Sequence, residues 1–184
     1  EALRELERAL QRGEDTGLVR QAIAEVRLVR GELAEAAALY RDLLRDDPAS
    51  PKLLNELGVA RHRSGDTAGA ERAYRAALEG DPGYSLAWNN LAALRMHRGD
   101  ATPAGECLAR AVEIHPGLVD GWCNLGLLAE QTGRLPEAPR SYRAGIEADP
   151  EALTAWIGAG RVLSEMDRFG EARNALARAA EIDP

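Results

Sequence analysis

Apolar residues recur along this chain at helical spacing, in two sets that return every 34 residues. The register is marked by a series of equally spaced prolines: Pro48, Pro82, Pro116, Pro150 and Pro184. When each proline is placed at position 32 of its unit, the units are 17–50, 51–84, 85–118, 119–152 and 153–184. A fixed period of about 20–50 residues is typical of a chain that stacks one small structural unit on the next. We therefore predict a repeat protein.

Each unit is predicted to contain two helices. Apolar residues at positions 4, 7, 8 and 10 form one face of a first helix, and those at positions 20, 24, 27 and 28 form one face of a second. A glycine at position 15 ends the first helix in four units, because glycine readily adopts the left-handed C-cap conformation. Asp-Pro or His-Pro closes the unit, because proline cannot continue a helix. One such hairpin is too small to bury its own apolar face, so neighbouring units must stack.

Three recurring positions predict how the two helices pack. Position 4 holds a large residue in most units: Arg20, Leu54, Trp88, Trp122 and Trp156. Position 8 is small, as Ala24, Gly58, Ala92, Gly126 and Gly160, and position 20 is always alanine. Position 24 is again large: Tyr40, Tyr74, Leu108, Tyr142 and Leu176. The small residues let the helices approach closely, and the large residues fill the space beside them.

The pattern Trp-x-Asn-Leu-Ala/Gly, followed by Gly-Asp, Ala, Tyr, Ala and Asp-Pro, resembles the tetratricopeptide repeat (TPR). The resemblance covers residues 17–184, and residues 1–16 look like the second helix of a partial unit. The sequence departs from the pattern at Arg20, Glu14 (for proline), Asp167 (for the turn glycine) and Gly145 (for alanine). The resemblance implies an all-α fold: one right-handed superhelical solenoid of antiparallel helix-turn-helix repeats over residues 1–184.

Composition and charge narrow the function further. The formal net charge of −7 argues against a sequence-independent nucleic-acid binder, which needs a positive field. No apolar run approaches the roughly 18 residues of a membrane span, so membrane insertion is not expected. Two isolated cysteines favour a reducing compartment, with the cytoplasm preferred. The chain begins in mid-repeat and ends on a closing proline, so we expect a fragment of a longer protein.

The sequence contains no arrangement that predicts catalysis. None of the three histidines belongs to a metal-ligand motif such as HExxH, and no phosphate-binding glycine loop of the GxxxxGK[ST] type occurs. The two cysteines are too few and too isolated for a metal site. We therefore predict no enzyme activity, no cofactor and no metal.

The resemblance to TPR domains implies a concave groove lined by the first helices, which receives a partner protein or peptide. We predict that its lining includes Asn55, Val59, Arg63, Asn89, Asn90, Ala93, His97, Asn124, Leu127 and Arg161. Asn90 and Asn124 share position 6, and in peptide-binding family members an asparagine there holds the peptide backbone. An amide both donates and accepts hydrogen bonds, which suits that role. The alternative is that position 6 is only a polar edge or caps a neighbouring helix.

Arginines also recur at position 11, as Arg27, Arg61 and Arg95. They could form a site for an acidic peptide, because arginine forks suit carboxylates. Alternatively, they stabilise helix C-termini and cover the core with their stems.

The leading hypothesis is a protein–protein interaction scaffold that binds a partner peptide or helix in this groove. Two alternatives remain. One is a substrate-recruiting arm of a larger enzyme, as in O-linked N-acetylglucosamine transferase, a glycosyltransferase. The other is a module that assembles by end-to-end self-association, because solenoid ends without polar capping helices expose apolar faces.

Overall fold

The computed structural model describes residues 2–13 and 16–183, so predictions that concern Glu14 and Pro184 lie outside the described residues. The described residues form these helices: α1 (Ala2–Gln11), α2 (Gly17–Val29), α3 (Leu33–Asp46), α4 (Pro51–Arg63), α5 (Thr67–Gly80), α6 (Ser85–Arg98), α7 (Ala101–Ile114), α8 (Val119–Gln131), α9 (Ala138–Ala148), α10 (Leu153–Glu165) and α11 (Phe169–Ile182). No strand occurs in this part of the chain. None of these helices is long and apolar enough to cross a bilayer. The predicted all-α fold is confirmed.

The helices pair as the repeat register predicts. The first and second helices of a unit pack together in the pairs α2 with α3, α4 with α5, α8 with α9, and α10 with α11. Between the paired helices the chain adopts positive φ at Gly31, Gly65, Gly99 and Gly133, with angles between 73° and 87°. Asp167 replaces that glycine in the last unit and still adopts a φ of 59°, which aspartate tolerates better than most residues.

At a larger scale than the 34-residue repeats, the chain divides into two compact units, Glu1–Ala87 and Trp88–Pro184. From here on, the first unit and the second unit mean these two parts of the chain. In the first unit, the core contains Ala24, Ala36 and Tyr40, which are the residues of repeat positions 8, 20 and 24. All three are fully buried. In the second unit, one core cluster is built around Ala138 and Tyr142 at positions 20 and 24. The close approach of small and large residues that the sequence predicts is therefore present in each unit. A single solenoid over residues 1–184 remains a prediction.

Tyr142 is enclosed by glycines from two helices of the second unit. A Cβ atom added to Gly126 on α8 would lie 2.7 Å from the tyrosine Cζ, and one added to Gly158 on α10 would lie 2.3 Å from its Cε1. Both distances are shorter than a van der Waals contact. The ring can therefore occupy this site only because both helices present bare backbone to it.

Two of the position-4 tryptophans, Trp122 and Trp156, link their repeat to the turn before it. The Trp122 indole donates a hydrogen bond from Nε1 to the carbonyl oxygen of Pro116, at 2.8 Å. The Trp156 indole donates in the same way to the carbonyl of Pro150, at 2.9 Å. Both rings are half-buried. The proline that closes one repeat therefore also offers its carbonyl to the indole of the next repeat.

Helix α9 is shorter than the other second helices of the 34-residue units. They have 14 residues and begin at repeat position 17, whereas α9 has 11 and begins at position 20, with Ala138. Pro139 accounts for the difference. In a full-length helix its nitrogen would have to donate to residue 135, and proline has no N–H to give. Pro103 on α7 is harmless, because it lies in the first turn, where the N–H groups have no partner within the helix.

Replacing Gly145 by alanine is expected to raise the free energy of unfolding by about 1 kcal/mol, because glycine is costly inside a helix. The added Cβ would meet Ala155 Cβ at 3.4 Å and Trp122 Cβ at 3.5 Å, which are ordinary contacts. Urea unfolding measures the change. Gly170→Ala on α11 is the control, because no atom lies within 4 Å of its added Cβ. A loss of stability in Gly145→Ala but not in Gly170→Ala would show that the site between Ala155 and Trp122 cannot accommodate the added methyl group.

Candidate functional site

A groove of about 460 Å³ lies in the second unit, where the first helices α6, α8 and α10 run side by side. Its lining residues are Asn89, Asn90, Ala93, Asp120, Cys123, Asn124, Leu127, Tyr142, Thr154, Ile157, Gly158 and Arg161. All except Tyr142 come from these three helices. We call this surface the first-helix groove.

The first-helix groove brings together six of the ten residues predicted for the site: Asn89, Asn90, Ala93, Asn124, Leu127 and Arg161. His97 is exposed near the end of α6 and does not line the groove. The other three predicted residues belong to the first unit. They are described separately below.

The asparagines at positions 5 and 6 have different environments. Asn124 donates a hydrogen bond from Nδ2 to Oδ1 of Asn89, at 2.9 Å. Asn89 is only 7% exposed, so a buried side chain accepts this hydrogen bond and holds the Asn124 amide in place. No other hydrogen bond engages the Asn124 amide within the described part of the chain. Asn124 is thus oriented by Asn89 and keeps an amide oxygen and one N–H for a ligand.

A charged network forms one wall of the groove. Arg161 Nη1 lies 2.6 Å from Glu130 Oε2, and the Tyr142 hydroxyl donates to Glu130 Oε1 at 2.5 Å. The Glu130 side chain is 7% exposed, whereas that of Arg161 is 49% exposed. Burial, together with the hydrogen bond to Glu130, raises the pKa of Tyr142, so this hydroxyl remains a donor at physiological pH. The arginine charge is therefore balanced within the protein.

Cys123 lies on α8 in the same groove. Its Sγ is 3.8 Å from the Thr154 hydroxyl. Burial raises the pKa of the Cys123 thiol, which keeps it protonated at neutral pH. Since the thiolate is the reactive form, this side chain is a small apolar contact rather than a nucleophile.

The predicted site residues of the first unit are held by contacts within that unit. Asn55 is only 2% exposed, and its Nδ2 donates to Glu56 Oε1 at 3.1 Å. Val59 packs against the core cluster. Arg63 Nη1 donates to the Leu28 carbonyl at 2.7 Å, near the end of α2. Position 5 is therefore buried in Asn55 as in Asn89, and a peptide could not reach the Asn55 amide.

The position-11 arginines are turned toward the second helix of their own repeat. Arg61 Nη1 donates to the Gly69 carbonyl at 3.2 Å, and Arg95 Nη1 donates to the Pro103 carbonyl at 3.1 Å. Arg27 Nη1 lies 3.4 Å from Glu32 Oε2. These contacts favour the structural alternative for the arginine series over an anion-binding site.

Sequence reasoning assigned Tyr142 to the core and missed that it also lines the first-helix groove. The available signal was Glu130 at position 12 of the same repeat, because a carboxylate on the inner face of a helix needs a donor. Within residues 2–13 and 16–183, no group of three His, Cys, Asp or Glu side chains could hold a metal ion.

Two family models, both for the tetratricopeptide repeat, match the sequence. One matches residues 1–51 and 123–184, and the other matches residues 62–120. The chain belongs to the tetratricopeptide repeat family. A comparison with curated proteins found no match.

Solved structures of TPR proteins share the fold. PilF of Pseudomonas aeruginosa superposes with a TM-score of 0.81 at 19% identity, and the match covers 100% of this chain and 79% of PilF. MamA (residues 41 to the end) from Desulfovibrio magneticus RS-1 gives a TM-score of 0.71 at 20% identity, covering 92% of this chain and 96% of MamA. YrrB, described as a TPR protein with an unusual peptide-binding site, gives 0.63 at 21% identity, covering 97% of this chain and 92% of YrrB. These structures support the fold, and membership of the family supports a general role as a protein-interaction scaffold, a kind of module that is generally non-catalytic.

Proposed function

We propose that this TPR protein is a scaffold that binds a peptide segment of a partner protein in the first-helix groove. The observation that carries the proposal is the convergence of Asn90, Asn124 and Leu127 on one groove. In this view the protein supplies a surface and performs no chemistry. We place it in a reducing compartment, with the cytoplasm preferred, because Cys107 and Cys123 are not joined in a disulfide.

The groove suits an extended peptide with an apolar side chain. Asn124 offers an oriented amide to the peptide backbone, whatever its sequence. Leu127 is half-buried and Ile157 is 45% exposed, so apolar surface remains open to a ligand side chain. Arg161 is already paired with Glu130, which disfavours recognition by charge alone. We expect an affinity on the order of micromolar, about −8 kcal/mol.

Substitution of both position-6 asparagines, Asn90→Ala with Asn124→Ala, is expected to abolish capture of the partner from a lysate of the source cells. For the partner peptide so identified, the affinity should fall at least about tenfold, since each lost hydrogen bond contributes roughly 0.5–1.5 kcal/mol. The measurement is affinity capture followed by titration of the identified peptide. The change is also expected to destabilise the fold by about 1–3 kcal/mol, because it leaves the buried Asn89 oxygen without its donor.

Circular dichroism and thermal melting must therefore show that the double variant is folded at the assay temperature. Thr102→Ala on α7 is the control, an exposed polar residue that lines neither this groove nor the second one described below. Equal capture by the parent and the folded double variant would contradict binding in this groove.

The alternatives from the sequence remain proposals of lower rank. A substrate-recruiting arm would use the same groove, and whether the gene also encodes a catalytic domain would decide the matter. Self-association is favoured by one observation, the exposure of Phe169 (63%) and Leu176 (45%) on α11.

A further inference from the structure

A second groove, of about 690 Å³, lies in the same unit between the second helices α9 and α11. Its floor comes from α10 and the turn after it, with Trp156, Ala159, Leu163 and Met166, and Ile146 of α9 forms part of one wall. Its volume falls within the range of about 300–1,000 Å³ that specific ligand sites occupy. We call it the second-helix groove. It shares no lining residue with the first-helix groove.

The late start of α9 forms one end of this groove. Residues 134–138 form a series of turns, in which Glu137 N bonds to Arg134 O at 2.9 Å and Ala138 N to Leu135 O at 3.3 Å. Pro136 within these turns and Pro139 directly after them both line the groove. In the other 34-residue units a helical turn occupies this stretch. The opening therefore follows from a sequence feature that the other units lack.

Charge on the rim indicates what would bind. Arg140 and Arg143 lie one turn apart on α9 and are exposed, and their guanidinium groups form no ion pair or hydrogen bond with any residue that the structure describes. At the start of α11, by contrast, Arg168 is paired with Glu171 at 2.7 Å. Glu147 is the carboxylate that α9 contributes to the rim. The lining thus holds three arginines and two glutamates, an excess of one positive charge on a chain whose net charge is −7.

We propose that the second-helix groove is a separate docking site for an acidic segment of a partner protein. One or two large apolar side chains of that segment would contact Trp156, Leu163 and Met166. Its carboxylates would bind Arg140 and Arg143, because arginine offers paired donors that match a carboxylate. This site goes beyond the peptide binding proposed for the first-helix groove, and it gives the protein two faces for two partners.

The test uses two libraries of synthetic 14-residue peptides on the whole chain. In both libraries, Leu, Phe or Trp stands at positions spaced three and four residues apart. The remaining positions are Glu and Ser in the first, the Glu library, and Lys and Ser in the second, the Lys library. We expect binders from the Glu library and none of comparable affinity from the Lys library. The double variant Arg140→Glu with Arg143→Glu should weaken the selected Glu peptides by about tenfold or more, and raised salt should weaken them in the parent.

The matched control is Arg4→Glu with Arg72→Glu. It makes the same change in net charge at two exposed arginines of the first unit that do not line the groove, so it should leave the affinity within about twofold of the parent. Asn90→Ala with Asn124→Ala should also leave it unchanged, which separates this site from the first-helix groove. Selected peptides that bind the Arg140/Arg143 variant as tightly as the parent would overturn the proposal, and so would selection from the Lys library alone.

Light scattering over a range of protein concentrations tests whether a second copy of this chain, rather than a partner, occupies the second-helix groove. A mass that rises with concentration in the parent and stays constant in Arg140→Glu with Arg143→Glu would overturn the partner proposal in favour of self-association. A mass that changes equally in both, or in neither, is the result expected if the groove binds a partner.

Discussion

Replacing Trp122 by alanine is expected to lower the free energy of unfolding by roughly 3–5 kcal/mol. Trp122 lies on α8 where this helix packs against Gly145 of α9, and its indole Nε1 is bonded to the Pro116 carbonyl. Alanine would remove most of the ring contacts and leave a cavity in the middle of the second unit. Denaturant unfolding, followed by circular dichroism, measures the change.

The variant Trp122→Phe distinguishes the contribution of the aromatic ring to stability from that of its hydrogen bond. Phenylalanine keeps much of the apolar contact and loses the donor to the Pro116 carbonyl, so the expected loss is about 1 kcal/mol beyond the change in ring size. Repeat proteins can unfold in steps, so the denaturant slope must be compared between the variants before free energies are subtracted. A loss below about 1 kcal/mol for the alanine variant would contradict the repeat register that makes this residue an anchor.

Replacing Gly158 by alanine is expected to destabilise the protein by about 1–3 kcal/mol, although alanine favours a helix by about 1 kcal/mol over glycine. The added Cβ would lie 2.3–2.7 Å from three atoms of the Tyr142 ring. The ring cannot retreat, since Gly126 of α8 lies against it as well and its hydroxyl is bonded to Glu130. The clash therefore outweighs the gain in helix propensity. Denaturant unfolding of the single variant tests the sign.

A double-mutant cycle with Tyr142→Leu tests the cause. Leucine occupies the equivalent position in the preceding repeat as Leu108, so this repeat position accepts it. In the Tyr142→Leu background, Gly158→Ala should cost at least about 1 kcal/mol less than in the parent. Equal costs in the two backgrounds would show that Tyr142 is not what limits residue 158.

The 34-residue register predicts the helix pairs, the turn glycines and the core alanines, because each depends on local spacing that repeats. Where the repeat pattern is interrupted, prediction from the register was less complete. Asp167 was recognised as a departure, but its φ of 59° follows from the demands of the turn and not from its own preference. The delayed start of α9 was missed, although Pro139 in the fifth position of the expected helix is a sufficient signal.

The lining of the first-helix groove was predicted only in part, since position alone does not give the depth of a side chain. Asn89 and Asn124 occupy adjacent positions, 5 and 6, of successive repeats. The hydrogen bond between them shows which side chain holds the other in place. The same limit applies to Arg61 and Arg95. Their long side chains turn to carbonyls of the neighbouring helix, a choice that depends on three-dimensional distance rather than on repeat position.

The indole hydrogen bonds at the repeat junctions also make the dynamics of the chain observable. Trp122 and Trp156 each donate to the carbonyl of a proline six residues earlier, so each bond closes one short loop. Exchange of an indole proton with solvent requires that its loop opens. Because local opening in proteins spans free energies from about zero up to the global value, the two protons can exchange at different rates. Nuclear magnetic resonance of these two protons would therefore read the opening of adjacent junctions one at a time.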